Sequence, residues 1–362
     1  MKFAIACGGT GGHLFPGLAV AEVLREQGHE VLLFVSEKEV DARALRAHPD
    51  LPSKKLPSIG MPSVFSPAMV TFLRRLRASL KTCGAAFDQD RPDAVLGMGG
   101  FTSIAPLIAA RRRGIPAFLH ESNAIPGKAN RLAALFCRSV LLGFGDCARH
   151  FPRRPTRVTG TPIRRDLSVG VPDRASARRA LGLDPDRQTL LVMGGSQGAS
   201  GINALMTQAA PHLSAAGLQV VHLAGERDVE TVRAAYAAAG LPAVVLPFCD
   251  RMQDVYPSAD LAVSRSGAAS LGELSWFGLP SVLVPFPYAA EDHQRLNAEI
   301  FTRTGAARIQ AEKDATGEGM ARLLLSLLAS PETLETMAAA AKALAPRDAA
   351  VRVAAVLTEA KE

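Results

Sequence analysis

The chain has 362 residues, enough for two domains, and its 48% hydrophobic and 21% charged content excludes a disordered protein. Its net charge of +7 is one-sided: residues 1–162 carry 22 Lys and Arg against 12 Asp and Glu, and residues 163–362 carry 19 against 22. A basic half points to an anionic partner: nucleic acid, an anionic membrane or a phosphorylated substrate.

Phe3 to Ala6 predicts a buried first strand, because the apolar run after Lys2 is shorter than the roughly 7–15 residues of a signal peptide. The turn Gly8 to His13 follows, and Pro16 sits where a helix would begin, which Leu18 to Arg25 continues to Gly28. With a strand at Val31 to Val35 this is a βαβ unit, so a parallel sheet is expected. Pro67 opens a helix toward Phe87 in which Met69, Phe72, Leu73, Leu76, Leu80 and Cys83 form an apolar stripe beside Arg74, Arg77 and Lys81, after Val64 and Phe65. This helix either packs on the sheet with a solvated basic face or lies on an anionic lipid surface. Further strands are expected at Ala94 to Met98, Ala117 to His120 and Ser139 to Leu142. After the polar stretch 160–173 the pattern restarts, with strands at Leu190 to Met193, Val220 to Leu223, Val244 to Leu246, Leu261 to Ser264 and Val282 to Val284, and a last helix from Arg347 to Ala360. No apolar run approaches the roughly 18 residues of a membrane span. Cys7, Cys83, Cys137, Cys147 and Cys249 are scattered without a CxxC, which fits free thiols in a reducing compartment and gives no zinc pattern.

Three glycine-rich turns, GGTGGH (8–13), GMGGFTS (97–103) and GGSQGA (194–199), each follow an apolar run and precede a helical one. Any one alone is accounted for by a tight strand-to-helix turn. Three, spread over both halves, favour phosphate binding by backbone amides at helix N-termini. None completes G-x-G-x-x-G, since Leu14 stands where the first would need its third glycine, and no GKS or GKT follows, so NAD and ATP fit poorly. In SRSGAASLGE (264–273), small residues leave amides open at a further helix start, and Glu273 lies one to two turns inside that helix. Its carboxylate either accepts the two hydroxyls of a ribose or simply complements the helix dipole.

The last stretch resembles the nucleotide-sugar signature of the two-lobed (GT-B) glycosyltransferases. Together with GGTGGHLFPGLAVA, GMGGFTS, HESNAIPGKAN (120–130), GTPIR (160–164), GGSQGA, PFCDRM (247–252) and DHQRLNA (292–298), it covers nearly the whole chain in order. The set is similar to the peptidoglycan N-acetylglucosaminyltransferases, a family-28-like group of that fold. The resemblance implies an α/β GT-B fold of two Rossmann-like lobes whose parallel sheets face across a cleft. An acceptor- and membrane-binding lobe would span 1–162, with a C-terminal helix at 342–362 packing back on it, and a UDP-sugar lobe 163–341. It implies inverting transfer of N-acetylglucosamine from UDP-N-acetylglucosamine to the 4-hydroxyl of the N-acetylmuramyl-pentapeptide of undecaprenyl-pyrophosphoryl lipid I, giving lipid II. No cofactor or metal is implied, and the expected place is the cytoplasmic face of the membrane. Another UDP-N-acetylglucosamine enzyme of the same fold, a 2-epimerase or a transferase to a different acceptor, is the alternative. A nucleic-acid binder fits less well, because no aromatic platforms interleave with the basic residues.

By the same resemblance Glu273 would hold the ribose hydroxyls and the Cys249 backbone the uracil edge, with Phe248 and Met252 beside the base. Ala268, Ala269 and Ser270, with Arg164 and Ser196, would hold the diphosphate, and Gln294 the sugar hydroxyls. Thr10, Gly11, Gly12 and Asn123 would approach the donor sugar. The acceptor's pyrophosphate would lie on Gly8, Gly9, Gly97, Gly99 and Gly100, with Asn130 and His13 nearby. A base must take the acceptor's hydroxyl proton. His13 is the first candidate, with an orienting role as its alternative; Glu121 is the rival base or a structural partner of the loop 123–130. Ser122, Thr161 and Ser200 depart from the glutamine, asparagine and arginine common in the family. Asp88-Gln89-Asp90 matches a metal-binding D-x-D but reads as a solvated helix end. A hinge is expected near Gly160 to Arg164.

Overall fold

The computed structural model describes all residues except 47, 58, 59, 61, 63–65, 196, 197 and 362, and the side chains at 40, 43 and 361 are likewise not described. Val64, Phe65 and Ser196 therefore lie outside the described residues. Contacts divide the chain into two units, Met1–Arg164 with Pro346–Glu362, and Arg165–Ala345.

The first unit runs β1 (Lys2–Ala6), α1 (Gly11–Glu26), β2 (Glu30–Ser36), α2 (Glu39–Arg46), β3 (Ser53–Leu56), α3 (Ala68–Gln89), β4 (Ala94–Gly97), α4 (Gly100–Arg112), β5 (Ala117–Glu121), α5 (Lys128–Ala133), β6 (Ser139–Leu142) and β7 (Thr156–Val158). The strands form one sheet in the order β3-β2-β1-β4-β5-β6-β7, and every pair is parallel. Alternation along β1 splits the core. Phe3 and Ile5 join Leu14, Leu18 and Leu24 on one face, and Ala4 and Ala6 join Cys83, Phe87 and Ile104 on the other.

The second unit runs α6 (Arg174–Ala180), β8 (Thr189–Met193), α7 (Ser200–Ala215), β9 (Gln219–Leu223), α8 (Val229–Ala238), β10 (Ala243–Leu246), α9 (Met252–Ser258), β11 (Leu261–Ser264), α10 (Ala268–Phe277), β12 (Ser281–Leu283), α11 (His293–Arg303), β13 (Ala307–Ile309), α12 (Gly317–Leu328) and α13 (Pro331–Leu344). Its sheet has the order β10-β9-β8-β11-β12-β13, again parallel throughout. β8 and β9 are buried at every residue, as strands covered on both faces must be.

α14 (Ala349–Thr358) returns to the first unit, where Val353, Ala354 and Leu357 pack with α1. It starts later than residue 342, because Lys342 belongs to α13, which ends where Ala345, before Pro346, turns extended. Three short edge strands, β3, β7 and β13, carry no apolar run long enough to announce them. Ser53, Lys54 and Lys55 of β3 are exposed.

In both sheets the strand order reverses at one place, between β1 and β4 and between β8 and β11. Ligands of open parallel sheets bind outside the carboxyl ends of the strands at such a point. The turns at 8–12 and 97–100 follow β1 and β4, and those at 194–199 and 264–267 follow β8 and β11.

A buried polar chain stiffens the second sheet. His222 on β9 bonds the Tyr236 hydroxyl through Nδ1 at 2.7 Å and Asn203 Oδ1 through Nε2 at 3.0 Å. Burial pushes its imidazole down from 6.5 to about 3. The unfolded chain therefore takes up this proton first, so the stabilisation is whole above pH 6.5 and fades as pH falls toward 3. The expected slope is about 1.4 kcal/mol per pH unit for this one group. Denaturant unfolding of His222→Gln between pH 7 and 4.5 should show a flatter pH dependence than the parent; identical slopes would exclude this histidine as a source of acid sensitivity.

Candidate active site

In the first unit the site grows from the start of α1. Thr10 is its extended N-cap, and the amides of Gly11 and Gly12 donate to no described group. No acidic residue sits in the first turn, so the positive end of the helix is open to an anion. The second turn is built differently. Gly99 N–H donates to Ser103 Oγ at 3.0 Å and Gly100 N–H to Asn130 Oδ1 at 3.0 Å. Gly9 N–H donates to the Asp41 carboxylate at 2.9 Å. Three of the glycine amides expected to face a phosphate are thus bonded within the protein, and the open amides are those of α1.

His13 is half-buried, with its Nδ1 3.2 Å from Thr10 Oγ1. The ring packs on the second turn. Gly99 holds φ 106°, and a Cβ there would stand 2.9 Å from Asn130 Nδ2 and 3.1 Å from His13 Nε2. Desolvation lowers the His13 imidazole to about 4, with Asp41 pulling it up and Lys38 pushing it down. The ring is neutral near pH 7. When Nδ1–H donates to Thr10, Nε2 keeps its lone pair.

Glu121, at the end of β5, is 1% exposed. Its Oε1 accepts from Asn123 N–H at 2.9 Å and Asn123 Nδ2 at 3.0 Å, and its Oε2 from Asn130 Nδ2 at 2.7 Å. Burial raises its pKa against the pull of these donors. Asn130 in turn holds Gly100, so Glu121 braces the turn against which His13 rests. His120 beside it is buried, with Nε2 2.9 Å from the Gly160 carbonyl. Arg164, expected at the diphosphate, closes the first unit with its guanidinium over the Phe15 ring at 4.6 Å.

In the second unit the amides of Ala268, Ala269 and Ser270 open α10 without a described acceptor, behind Gly267, which offers no capping side chain. Glu273 follows one turn later and accepts from the Tyr256 hydroxyl. Tyr256 is fully buried and stacks on Phe277 at 4.9 Å, which ties α9 to α10. Met252 is the buried first residue of α9, and the half-buried Phe248 and Cys249 precede it, so all three lie on the segment that Tyr256 anchors to α10. Sequence reading missed Tyr256, although its spacing of four from Met252 puts both on one helix face. Ser266 Oγ donates to the Gln294 carbonyl at 2.7 Å, and Gln294 Oε1 accepts from Phe286 N–H at 2.9 Å. Arg265, 6% exposed, donates to the Val284 and Pro285 carbonyls under the Phe286 ring.

The D-x-D carboxylates are occupied by cations: Asp88 bonds Arg113 twice at 2.7 Å, and Asp90 bonds Lys2 at 2.6 Å. Among the described residues, no three His, Cys, Asp or Glu side chains gather as metal ligands.

Just before α11, which opens at His293, Glu291 and Asp292 both adopt φ 55°, a left-handed conformation costly for residues with a Cβ. Glu291→Gly is expected to stabilise the second unit by about 0.5–1 kcal/mol and the β-branched Glu291→Val to destabilise it by about 1–2 kcal/mol. Thermal denaturation measures both; a Gly variant less stable than the Val variant would show that the backbone is not strained there.

The glycosyltransferase family 28 N-terminal domain matches residues 3–142 and the family 28 C-terminal domain residues 189–353. A UDP-N-acetylglucosamine--N-acetylmuramyl-(pentapeptide) pyrophosphoryl-undecaprenol N-acetylglucosamine transferase of Citrifermentans bemidjiense is 38% identical over 97% of this chain and 97% of its own. The protein of the same name from Geobacter sulfurreducens is 39% identical over 97% and 96%. The crystal structure of Acinetobacter baumannii MurG superposes with a TM-score of 0.77 at 28% identity, covering 99% of both chains. A UDP-GlcNAc 2-epimerase from Neisseria meningitidis, at 13% identity and a TM-score of 0.71, shares the fold. With relatives this similar along its length, and with two parallel sheets whose glycine turns stand at the reversals of strand order, the chain belongs to glycosyltransferase family 28 and has the GT-B fold.

Proposed function

We propose that the protein transfers N-acetylglucosamine from UDP-N-acetylglucosamine to the 4-hydroxyl of the N-acetylmuramyl unit of a pyrophosphoryl-undecaprenol acceptor, with inversion at the anomeric carbon. The observation that carries this reading is local to α10: three open amides stand one turn before a carboxylate oriented by Tyr256. A diphosphate on the amides places a ribose diol within the range of Glu273, which is the pattern of a nucleoside diphosphate. The near-full-length similarity to enzymes named for this transfer supplies the sugar and the acceptor.

In this reading Phe248, Cys249 and Met252 take the uracil, Gln294 the sugar, and the first turn of α10 the charge that develops on UDP as it leaves. The acceptor's pyrophosphate takes the open amides of α1. His13, neutral at pH 7, accepts the proton of the 4-hydroxyl as that oxygen attacks, with Thr10 fixing the tautomer. Glu121, Asn123 and Asn130 position the turn at Gly99 and Gly100 that supports the imidazole. Transfer of labelled N-acetylglucosamine to a short-chain lipid I analogue tests the reaction, and His13→Ala should lower kcat at least 100-fold with the donor KM within twofold. Near-normal turnover of that variant removes His13 from the chemistry. Donor binding without product in the parent protein moves the epimerase reading forward.

The lipid acceptor calls for a membrane surface, and α3 offers one. Val70 is 61% and Leu73 55% exposed, beside the exposed Arg74, Arg75 and Arg77. The helix thus divides its expected apolar stripe: Phe72 and Cys83 face the core and Leu73 faces outward. Among the described residues, no helix is long and apolar enough to cross a membrane. Peripheral attachment at the cytoplasmic face fits this surface. Co-sedimentation with vesicles containing phosphatidylglycerol should fall at least fivefold in Val70→Glu/Leu73→Glu and with rising salt; equal binding by the double variant would refute this role for α3.

A further inference from the structure

We infer that Asp41 is a positioning residue for the acceptor turn: from α2 it clamps the Gly8–Gly9 backbone and so fixes the start of α1 for the acceptor's pyrophosphate. The inference rests on the proposed reading of that turn. Asp41 is 0% exposed, and its carboxylate takes Gly9 N–H at 2.9 and 3.2 Å, Ser36 N–H at 2.8 Å and Ser36 Oγ–H at 2.6 Å. Among the described residues no Lys or Arg forms an ion pair with it. An enclosed carboxylate is tolerated only when donors compensate for lost hydration, and here one donor is the turn itself. Lys38, three residues earlier, donates from Nζ to the Gly9 carbonyl at 2.8 Å. Both polar groups of Gly9 are therefore held by one short segment, Ser36 to Asp41.

The fit between the two segments is close. A Cβ on Gly8 would stand 2.2 Å from Ser36 N and 2.6 Å from Asp41 Oδ2, so only glycine admits the carboxylate. Its negative charge beside open helix amides opposes anion binding, and Lys38 offsets part of that repulsion. A carboxylate placed against the local electrostatic preference is explained by what it holds: Gly9 leads through Thr10 into Gly11, Gly12 and His13. The amide it uses is withdrawn from the ligand, which confines the anion to the first turn of α1.

Steady-state kinetics on the full chain, with UDP-N-acetylglucosamine and a short-chain lipid I analogue, tests this. Asp41→Asn should raise the acceptor KM at least tenfold with the donor KM within twofold, and Asp41→Glu should recover part of the loss. Lys38→Met, on an exposed side chain, should raise the acceptor KM about threefold with melting unchanged, and it carries the test if Asp41→Asn does not fold. An unchanged acceptor KM, or equal losses for both substrates, overturns the inference. Failure of the parent protein to elongate the analogue instead refutes the functional reading. Amide exchange without substrate then decides for Asp41: selective acceleration at Gly9 in Asp41→Asn or Lys38→Met supports the clamp, and unchanged exchange overturns it.

Discussion

Helix-start amides without a carbonyl partner are the constraint on which this protein's sites depend. A parallel sheet delivers each strand into a helix whose first amides cannot bond within it. At the carboxyl edges of β1, β4, β8 and β11 the chain fills those starts with small residues and leaves out acidic caps. The reversal of strand order at the same edges leaves room for a ligand. The sequence leaves such amides open at α1 and α10 and ties up those of Gly9, Gly99 and Gly100.

Closing is as informative as leaving open. Gly9, Gly99 and Gly100 lend their amides to Asp41, Ser103 and Asn130, and these bonds convert flexible turns into fixed ones. The chain Glu121–Asn130–Gly100 reaches from the end of β5 to the support of His13. Enclosed carboxylates do this work on one side of the imidazole and desolvation on the other, so the ring is both oriented and neutral. In the second unit Tyr256 plays the corresponding part for Glu273, with its hydroxyl on the carboxylate and its ring on Phe277.

Much of this was legible in advance where it is local. Strands with continuous apolar runs, such as Leu190 to Met193, announce themselves because burial on both faces demands it. Glu273 was visible because its distance from the turn is fixed by helical rise. The edge strand β3 was not, since its Lys54 and Lys55 have no burial to record. Leu73 misled for the reverse reason: helical spacing places it beside Phe72, yet it lies on the exposed side of α3. Asp41 gave no signal at all, being an acidic residue in a polar helix 32 positions from the amide it holds.

The sequence alone therefore determined the order of the buried core strands, their parallel arrangement, the glycine turns and the family that their spacing resembles, because each follows from periodicity or backbone freedom within a few residues. Tertiary structure alone decided which turn amides remain open, which carboxylates are enclosed and which apolar side chains of α3 face outward. Those outcomes depend on partners brought from other strands and helices, as Asp41 is to Gly9 and Asn130 to Gly100. No local pattern encodes the identity of a hydrogen-bond partner that the fold itself must deliver.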